Sequence, residues 1–291
     1  MQTLYCKRCG STQFVKQGRQ YTCTECGAQV TLQPGEPEPV IQTGDYWIED
    51  GVLNAYYGDA VDVELPETVT AIGNRCFEDF GLKSISIPES VTKIGRQAFC
   101  DSPTLRSVTI PASVERIGYR AFSGCELLTK VTIMGAGTAL GEYAFAGCER
   151  LTSADLPEGL ESLPIGMFEG CTVLTEVTIP AGMKLIDNAA FRDCTSLKRI
   201  RIPGTVEQIG GDAFRGCTSL TEVILEEGVT HIKDGAFVEC ENLTEITIPE
   251  SVQRIGDRAF WRCRRLKHVS LPDGIQLGRD VFLDCPELNR K

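Results

Sequence analysis

The chain has 291 residues, of which 42% are hydrophobic and 24% charged, the balance of an ordinary globular protein and not of a fibrous or disordered one. No stretch reaches the roughly 20 apolar residues of a membrane span. The formal net charge of -11 disfavours nucleic acid and anionic membranes as partners of the chain as a whole.

The first residues, Met1 to Cys9, carry no basic stretch followed by an apolar one, so the expected location is the cytoplasm. A chain whose export signal had been removed reads the same way, and a cell-surface adhesin is the alternative. Within residues 1–32, Lys7, Arg8, Lys16 and Arg19 stand against Glu25, a net +3 that leaves -14 for the remainder. Nucleic-acid binding is therefore expected only through this small basic piece, with Lys7, Lys16, Arg19, Phe14 and Tyr21 as its contacts.

The same piece holds two cysteine pairs, Cys6-Lys7-Arg8-Cys9-Gly10 and Cys23-Thr24-Glu25-Cys26-Gly27. Two residues between thiols let both sulfurs of a tight turn face one ion, and the following glycine accepts the positive φ such a turn often needs. Four thiolates, Cys6, Cys9, Cys23 and Cys26, suit one tetrahedral Zn²⁺. Two disulfides or an iron site are the competing readings. A catalytic zinc keeps a position open for water, whereas four cysteines close the shell, so a zinc here is structural. Between the pairs, Phe14, Val15 and Tyr21 flank Lys16-Gln17-Gly18-Arg19, a hairpin pattern. The unit resembles the zinc ribbon. Residues 33–44, with three prolines and two glutamates, read as a semi-rigid linker.

From residue 45 to 291 a different logic takes over. Tyr46 to Leu53 carries Asp50-Gly51 between apolar residues, the signature of a hairpin and here of an N-terminal cap. Phenylalanine then recurs at Phe77, Phe99, Phe122, Phe145, Phe168, Phe191, Phe214, Phe237, Phe260 and Phe282, always 22 or 23 residues apart. In one repeat, Ile200 and Ile202 alternate with Arg199 and Arg201 as in a strand, and Pro203 ends it. Val206 and Ile209 lead to a bend at Gly210. Ala213, Phe214 and Cys217 fit one short helical turn facing inward. A single coil of this kind cannot bury its apolar side, but stacked coils share a continuous core with parallel strands along one face.

The recurring Leu-x-x-Val/Ile-x-Ile/Leu-Pro, Ile-Gly-x-x-Ala-Phe and Gly-Cys-x-x-Leu resemble the BspA-like leucine-rich repeat family, with the strand motif at residues 82–88, 105–111, 174–180, 197–203 and 243–249. The resemblance implies a leucine-rich-repeat solenoid, a right-handed coil with a parallel β-sheet face and ten repeats of ~23 residues. It also implies an adhesive or scaffolding role, often on bacterial surfaces.

Cys125, Cys148, Cys171, Cys194, Cys217, Cys240, Cys263 and Cys285 each follow the repeat phenylalanine by three. Stacked positions have parallel Cβ vectors, unsuited to disulfides, so these are expected to be small buried thiols, at home in a reducing compartment. Gly135-Ala-Gly137-Thr-Ala-Leu-Gly141 imitates a dinucleotide fingerprint, but falls on the repeat's own Ile-Gly and lacks the long helix a pyrophosphate needs. His231 and His268 have no nucleophile in matching register, and no enzyme is expected.

The expected binding surface is the outward side of the strands. Candidate contacts there are Lys130, Asp155, Glu176, Arg199, Arg201, Glu222, Glu245 and His268, weighed against a solvated surface in which Arg199 and Arg201 form cross-strand ion pairs with Glu176 and Glu222. A second candidate is Trp261, set among Arg254, Arg258, Arg262, Arg264, Arg265 and Lys267; residues 254–268 carry a net +5. Those arginines either offer a contact or pack their stems over the core. The last strand, Leu266 to Leu271, is expected to leave an edge open to end-to-end self-association. The sequence thus predicts a non-enzymatic protein-binding or scaffolding protein, the ribbon serving as a second contact.

Overall fold

The computed structural model describes residues 14–17, 20–23, 27–31 and 45–289. Cys6, Cys9, Cys26 and the linker fall outside them. The N-terminal piece forms a three-stranded antiparallel sheet of β1 (Phe14–Gln17), β2 (Gln20–Cys23) and β3 (Gln29–Thr31). The expected hairpin is β1–β2, and β3 adds a strand that the spacing did not announce. Tyr21 and Cys23, on alternate positions of β2, are both fully buried. Burial removes the Tyr21 ring from the nucleic-acid contacts expected of it.

The Asp-Gly signal is a hairpin of β4 (Tyr46–Glu49) and β5 (Val52–Tyr56). Asp50 and Gly51 both adopt positive φ, 50° and 77°, the turn whose twist matches that of the flanking strands. β5 then pairs in parallel with Ala71–Ile72, which joins the hairpin to the first coil. Tyr46, Tyr56, Phe77 and Phe80 close the end of the core with ring centroids 5.2 to 6.1 Å apart.

Each coil that follows has three sides. One carries the longer strand, such as Arg199–Ile202. The alternation places Ile200 and Ile202 in the core and leaves Arg199 and Arg201 exposed. The second carries a two-residue strand, such as Gln208–Ile209. These short strands stack in parallel into sheets of their own, a second sheet line that the reading of a single strand face missed. Directly after the short strands runs a column of close-packed glycines. A Cβ on Gly118 would lie 2.6 Å from the backbone of Gly95 and Arg96 in the preceding coil, so stacking distance, and not turn conformation, requires glycine there.

The third side holds the phenylalanines. The expected short helical turn is absent; no helix occurs among the described residues. Instead the residues two before and two after each phenylalanine take left-handed conformations, as Ala189 (φ 55°) and Asp193 (φ 57°) do around Phe191. These two kinks aim every second N–H group along the solenoid axis. Thus Asp212 N–H donates to Asp234 C=O, Phe214 N–H to Ala236 C=O and Gly216 N–H to Val238 C=O, at 2.8 to 3.0 Å. A helix would keep those bonds within its own coil. The ten phenyl rings form one continuous stack with centroids 4.8 to 6.0 Å apart and planes within 17° of parallel.

The thiol ladder is buried as expected, and it has a further role. Each Sγ donates to the carbonyl of the phenylalanine one coil earlier: Cys171 to Phe145, Cys194 to Phe168 and Cys217 to Phe191, all at 3.2 Å. Ser102, at the same repeat position in an earlier coil, makes the equivalent bond to Phe77 at 2.8 Å. The position therefore selects a small donor, not merely a small hydrophobe.

Candidate functional site

All eighteen outward positions of the longer strands between Ser84 and Ser270 are exposed or half-buried. They form two rows along the solenoid. The first includes Lys130, Ser153, Glu176, Arg199, Glu222, Glu245 and His268; the second includes Thr132, Asp155, Thr178, Arg201, Ile224, Thr247 and Ser270. The rung before them, Asp62–Glu64, pairs with Ser84–Ser86 and adds two acids to the hydroxyl-rich beginning of the face. It was not anticipated, because it precedes the first repeat phenylalanine.

The face is not one unbroken sheet. Ladders join Ser107–Ile110, Lys130–Ile133, Ser153–Asp155 and Glu176–Val177, then separately Arg199–Ile202 with Glu222–Leu225, then Glu245–Thr247 with His268–Ser270. Clefts open at the last two interruptions. The first, about 420 Å³, has Ala154, Val177 and Ile179 as its floor and Glu176, Arg199 and Arg201 at its rim. At its floor Ala154 stands in a column otherwise filled by valine and isoleucine, such as Val131, Val177, Ile200 and Val223, beside a strand only two residues long. The second cleft, about 360 Å³, lies between Glu222–Leu225 and Glu245–Thr247 and reaches Ile224, Ile246 and His268.

The electrostatics of the face differ from the expected cross-strand pairs. Arg201 turns away from Glu176 and Glu222 and binds Glu226, Nε to Oε1 at 2.7 Å and Nη2 to the same oxygen at 2.5 Å. Glu226 also accepts the Gly204 N–H at 3.0 Å. That backbone bond, and then Arg201, hold its carboxyl below the usual glutamate value. Arg199 lies in register with Glu222, but no ion pair joins them. Glu176, Glu222 and Glu245 likewise have no ion-pair partner among the described residues. Lys130 pairs with Asp155 at 3.7 Å. Ile224 is 40% exposed, a large apolar side chain on the outward side of the ridge between the clefts.

Trp261 lies elsewhere, on the phenylalanine side, half-buried. Its indole N–H donates to Asp284 at 3.2 Å, and the Arg262 guanidinium covers its ring at 4.1 Å. Part of the basic run around it pairs with acids one coil away: Arg262 with Glu239 at 3.0 Å, Arg264 with Glu241 at 3.5 Å, Lys267 with Glu287 at 3.5 Å. The structure does not bring Trp261 to the strand face. The glycine run near Gly135 meets no helix; Thr138 is buried there and donates to Val114 C=O at 2.9 Å. Among the described residues no group of three or more histidines, cysteines, aspartates or glutamates converges on a metal position.

The model of the BspA type leucine rich repeat region, six copies long, matches residues 54–175 and again 162–289. The chain belongs to the BspA-type leucine-rich repeat family. Among solved structures, this BspA-type chain is similar to a leucine rich cell surface protein from Faecalibacterium prausnitzii, 27% identical over 87% of this chain and 82% of that one, with a TM-score of 0.64. It also matches a leucine rich repeat protein of T. pallidum (24% identity, 81% and 82% coverage, TM-score 0.47). A third match is the pneumococcal vaccine antigen PcpA (22% identity, 77% and 66% coverage, TM-score 0.48). No curated protein matches. No helix of the described residues is long and apolar enough to cross a membrane.

Proposed function

We propose that this chain holds a protein partner on its strand face and does so without catalysis. The observation that carries the reading is the pair of clefts beside Ile224, flanked by Glu176, Glu222 and Glu245, whose carboxylates have no partner within the described fold. A rigid stack supports this surface, so little ordering accompanies docking. The test is capture from native lysate with three full-length baits: the wild type, Ile224→Asp with Glu222→Lys, and Glu142→Lys on the phenylalanine side. Loss of one discrete protein with the strand-face bait alone supports the reading. A capture that all three baits share, or a hydrolytic or transfer activity abolished by one point change, overturns it.

For the N-terminal piece the proposal is a structural zinc ribbon with Cys6, Cys9, Cys23 and Cys26 as ligands. What supports it is the turn after β2: Gly27 N–H donates to Cys23 C=O at 2.9 Å, and Gly27 has φ 69°, the tight turn that a pair of thiols needs around an ion. Such a zinc would tie the small sheet together and open no position to substrate. One Zn²⁺ per chain by elemental analysis, lost in Cys23→Ser, is the expected result; a metal-free wild type overturns it. The ribbon's net positive charge supports nucleic-acid binding as a second role, which would weaken steeply with salt.

Location has two readings. The thiol ladder suits a reducing cytoplasm, whereas the similar protein from F. prausnitzii, named a cell surface protein, favours an exported adhesin. Burial and parallel geometry keep the ladder thiols apart in either compartment. Labelling of intact cells with a membrane-impermeant reagent separates the two. The exposed Leu271, Leu277 and Leu283 of the last coil support end-to-end self-association, which light scattering at high protein concentration would register.

A further inference from the structure

We infer that the solenoid carries a hinge between two neighbouring coils, at the boundary where its short strands do not pair. Among the described residues the short strands fall into two sheets, one ending at Arg116–Ile117 and the other beginning at Ser162–Leu163. A bridge from Arg116 to Ala139 attaches the intervening coil to the first sheet. Elsewhere on this side each coil bonds to its neighbour. Lys184 N–H donates to Glu161 C=O at 2.8 Å, Ile117 N–H to Ala139 C=O at 2.8 Å and Asp187 N–H to Leu163 C=O at 2.9 Å. At the boundary between residues 138–141 and 161–164 the three corresponding bonds are absent. Glu161 N–H does not reach Thr138 C=O, and Leu140 N–H does not reach Ser162 C=O. Pro164 has no N–H to offer Leu140 C=O. A cleft of about 450 Å³ opens there, between Thr138, Ala139 and Leu140 on one lip and Leu160, Glu161 and Ser162 on the other.

The residues at the gap depart from the repeat. Gly137 stands in a column filled elsewhere by buried apolar side chains such as Val114, Leu160, Met183 and Val206, and a Cβ on it would meet nothing within 4 Å. Thr138 turns inward instead. It is 1% exposed, with its hydroxyl 2.9 Å from the carbonyls of both Val114 and Gly135, whereas Glu115 at the same place one coil earlier is exposed. Pro164 stands where Gly118, Gly141 and Gly210 do in other coils. The other two sides hold the same two coils together. Lys130–Thr132 pairs in register with Ser153–Asp155, and Tyr143, Phe145 and Gly147 donate axially to Ile165, Met167 and Glu169 at 2.7 to 3.0 Å. Coils fixed on two sides and open on the third rotate about the held sides, widening or narrowing the cleft, and missing backbone bonds with a gap in the packing are what such local motion requires. The strand face crosses the same boundary, so the rotation sets its curvature, and a partner seated on both arms would favour one angle.

The test is double electron–electron resonance on the full chain, with spin labels carried on a non-canonical amino acid so that the native cysteines stay untouched. One pair of labels, at Glu115 and Glu207, brackets the gap; a control pair, at Lys184 and Gln276, does not. All four residues are exposed, and each pair spans four strand spacings, ~19 Å. The control pair crosses both strand-face clefts while its short strands pair without a break, so it carries whatever motion those clefts permit. The bracketing pair is expected to give a distance distribution about twofold wider than the control. A repair variant replaces residues 134–141 by the equally long sequence of 111–118 and adds Pro164→Gly, which restores the apolar residue and the missing N–H. It is expected to narrow the distribution to the control width, with the fold verified by a cooperative urea transition. Should it not fold, Pro164→Gly alone decides in its place, with partial narrowing expected. Equal widths in the wild type would overturn the hinge, as would a distribution that stays wide in the folded variant.

Discussion

The phenylalanine side and the strand side of the same coils solve different problems. On the phenylalanine side every coil is tied to the next by axial N–H···O=C bonds, a stacked ring and, from Cys125 onward, a thiol-to-carbonyl bond. That side admits little variation. The strand side tolerates interruptions, a stray alanine, an exposed isoleucine and unpaired carboxylates. Stability is concentrated on one side, so the other is free to carry recognition.

The largest test of that contrast is Phe214→Ala. The ring is fully buried between Phe191 and Phe237, 5.2 Å from each, and its loss should cost about 3–5 kcal/mol, measured by urea denaturation. The paired substitution Glu222→Lys should leave the midpoint within about 0.5 kcal/mol. A comparable loss at both positions would erase the distinction.

A smaller effect separates packing from hydrogen bonding in the ladder. Cys194→Ala should cost about 1–2 kcal/mol, because it removes both the sulfur and the bond to Phe168. Cys194→Ser keeps a donor, as Ser102 does naturally, and should cost less. Equal losses would reduce the thiol to a space filler.

The ladder also predicts a pH dependence. Burial pushes Cys125 and Cys171 up to about 12 from the ordinary value of 9.0. Below pH 9 both states hold their thiol protons and these groups make no difference. Above it the unfolded chain loses them first, so folded stability falls as pH rises toward 12. A urea midpoint that stays flat from pH 9 to 11 would contradict this.

The smallest expected change is a gain. Ala189 sits at φ 55°, where a Cβ costs about 1 kcal/mol. Ala189→Gly should therefore stabilise the protein by several tenths of a kcal/mol after the entropy of the unfolded chain is counted. A loss would mean that the alanine methyl packs more than its conformation costs.

Much of this was legible because the sequence repeats. The phenylalanine register, the inward isoleucines, the thiol positions and the Asp-Gly hairpin follow from spacing and local turn chemistry. What stayed hidden depends on contacts between coils. Gln97, Arg120, Tyr143 and Ala189 carry no sign of left-handed backbone; the bonds to the next coil impose it. Arg201 looked destined for Glu176 or Glu222 because they share its strand face, yet Glu226, just beyond the next strand, meets its guanidinium. The first cleft did have a signal, Ala154 in a column of larger residues, but one small side chain carries weight only once its neighbours are stacked. Trp261 follows Phe260 directly, so the phenylalanine register already placed it away from the strands.

The most direct test of the central claim is amide hydrogen exchange on the full chain, alone and with its captured partner. Added protection should concentrate at residues 176–178, 199–201, 222–224 and 245–247, with the phenylalanine side unchanged. Protection centred on the turns around Phe191 to Phe260 and absent from the strands would show that the partner binds the stacked side, and the account would be wrong.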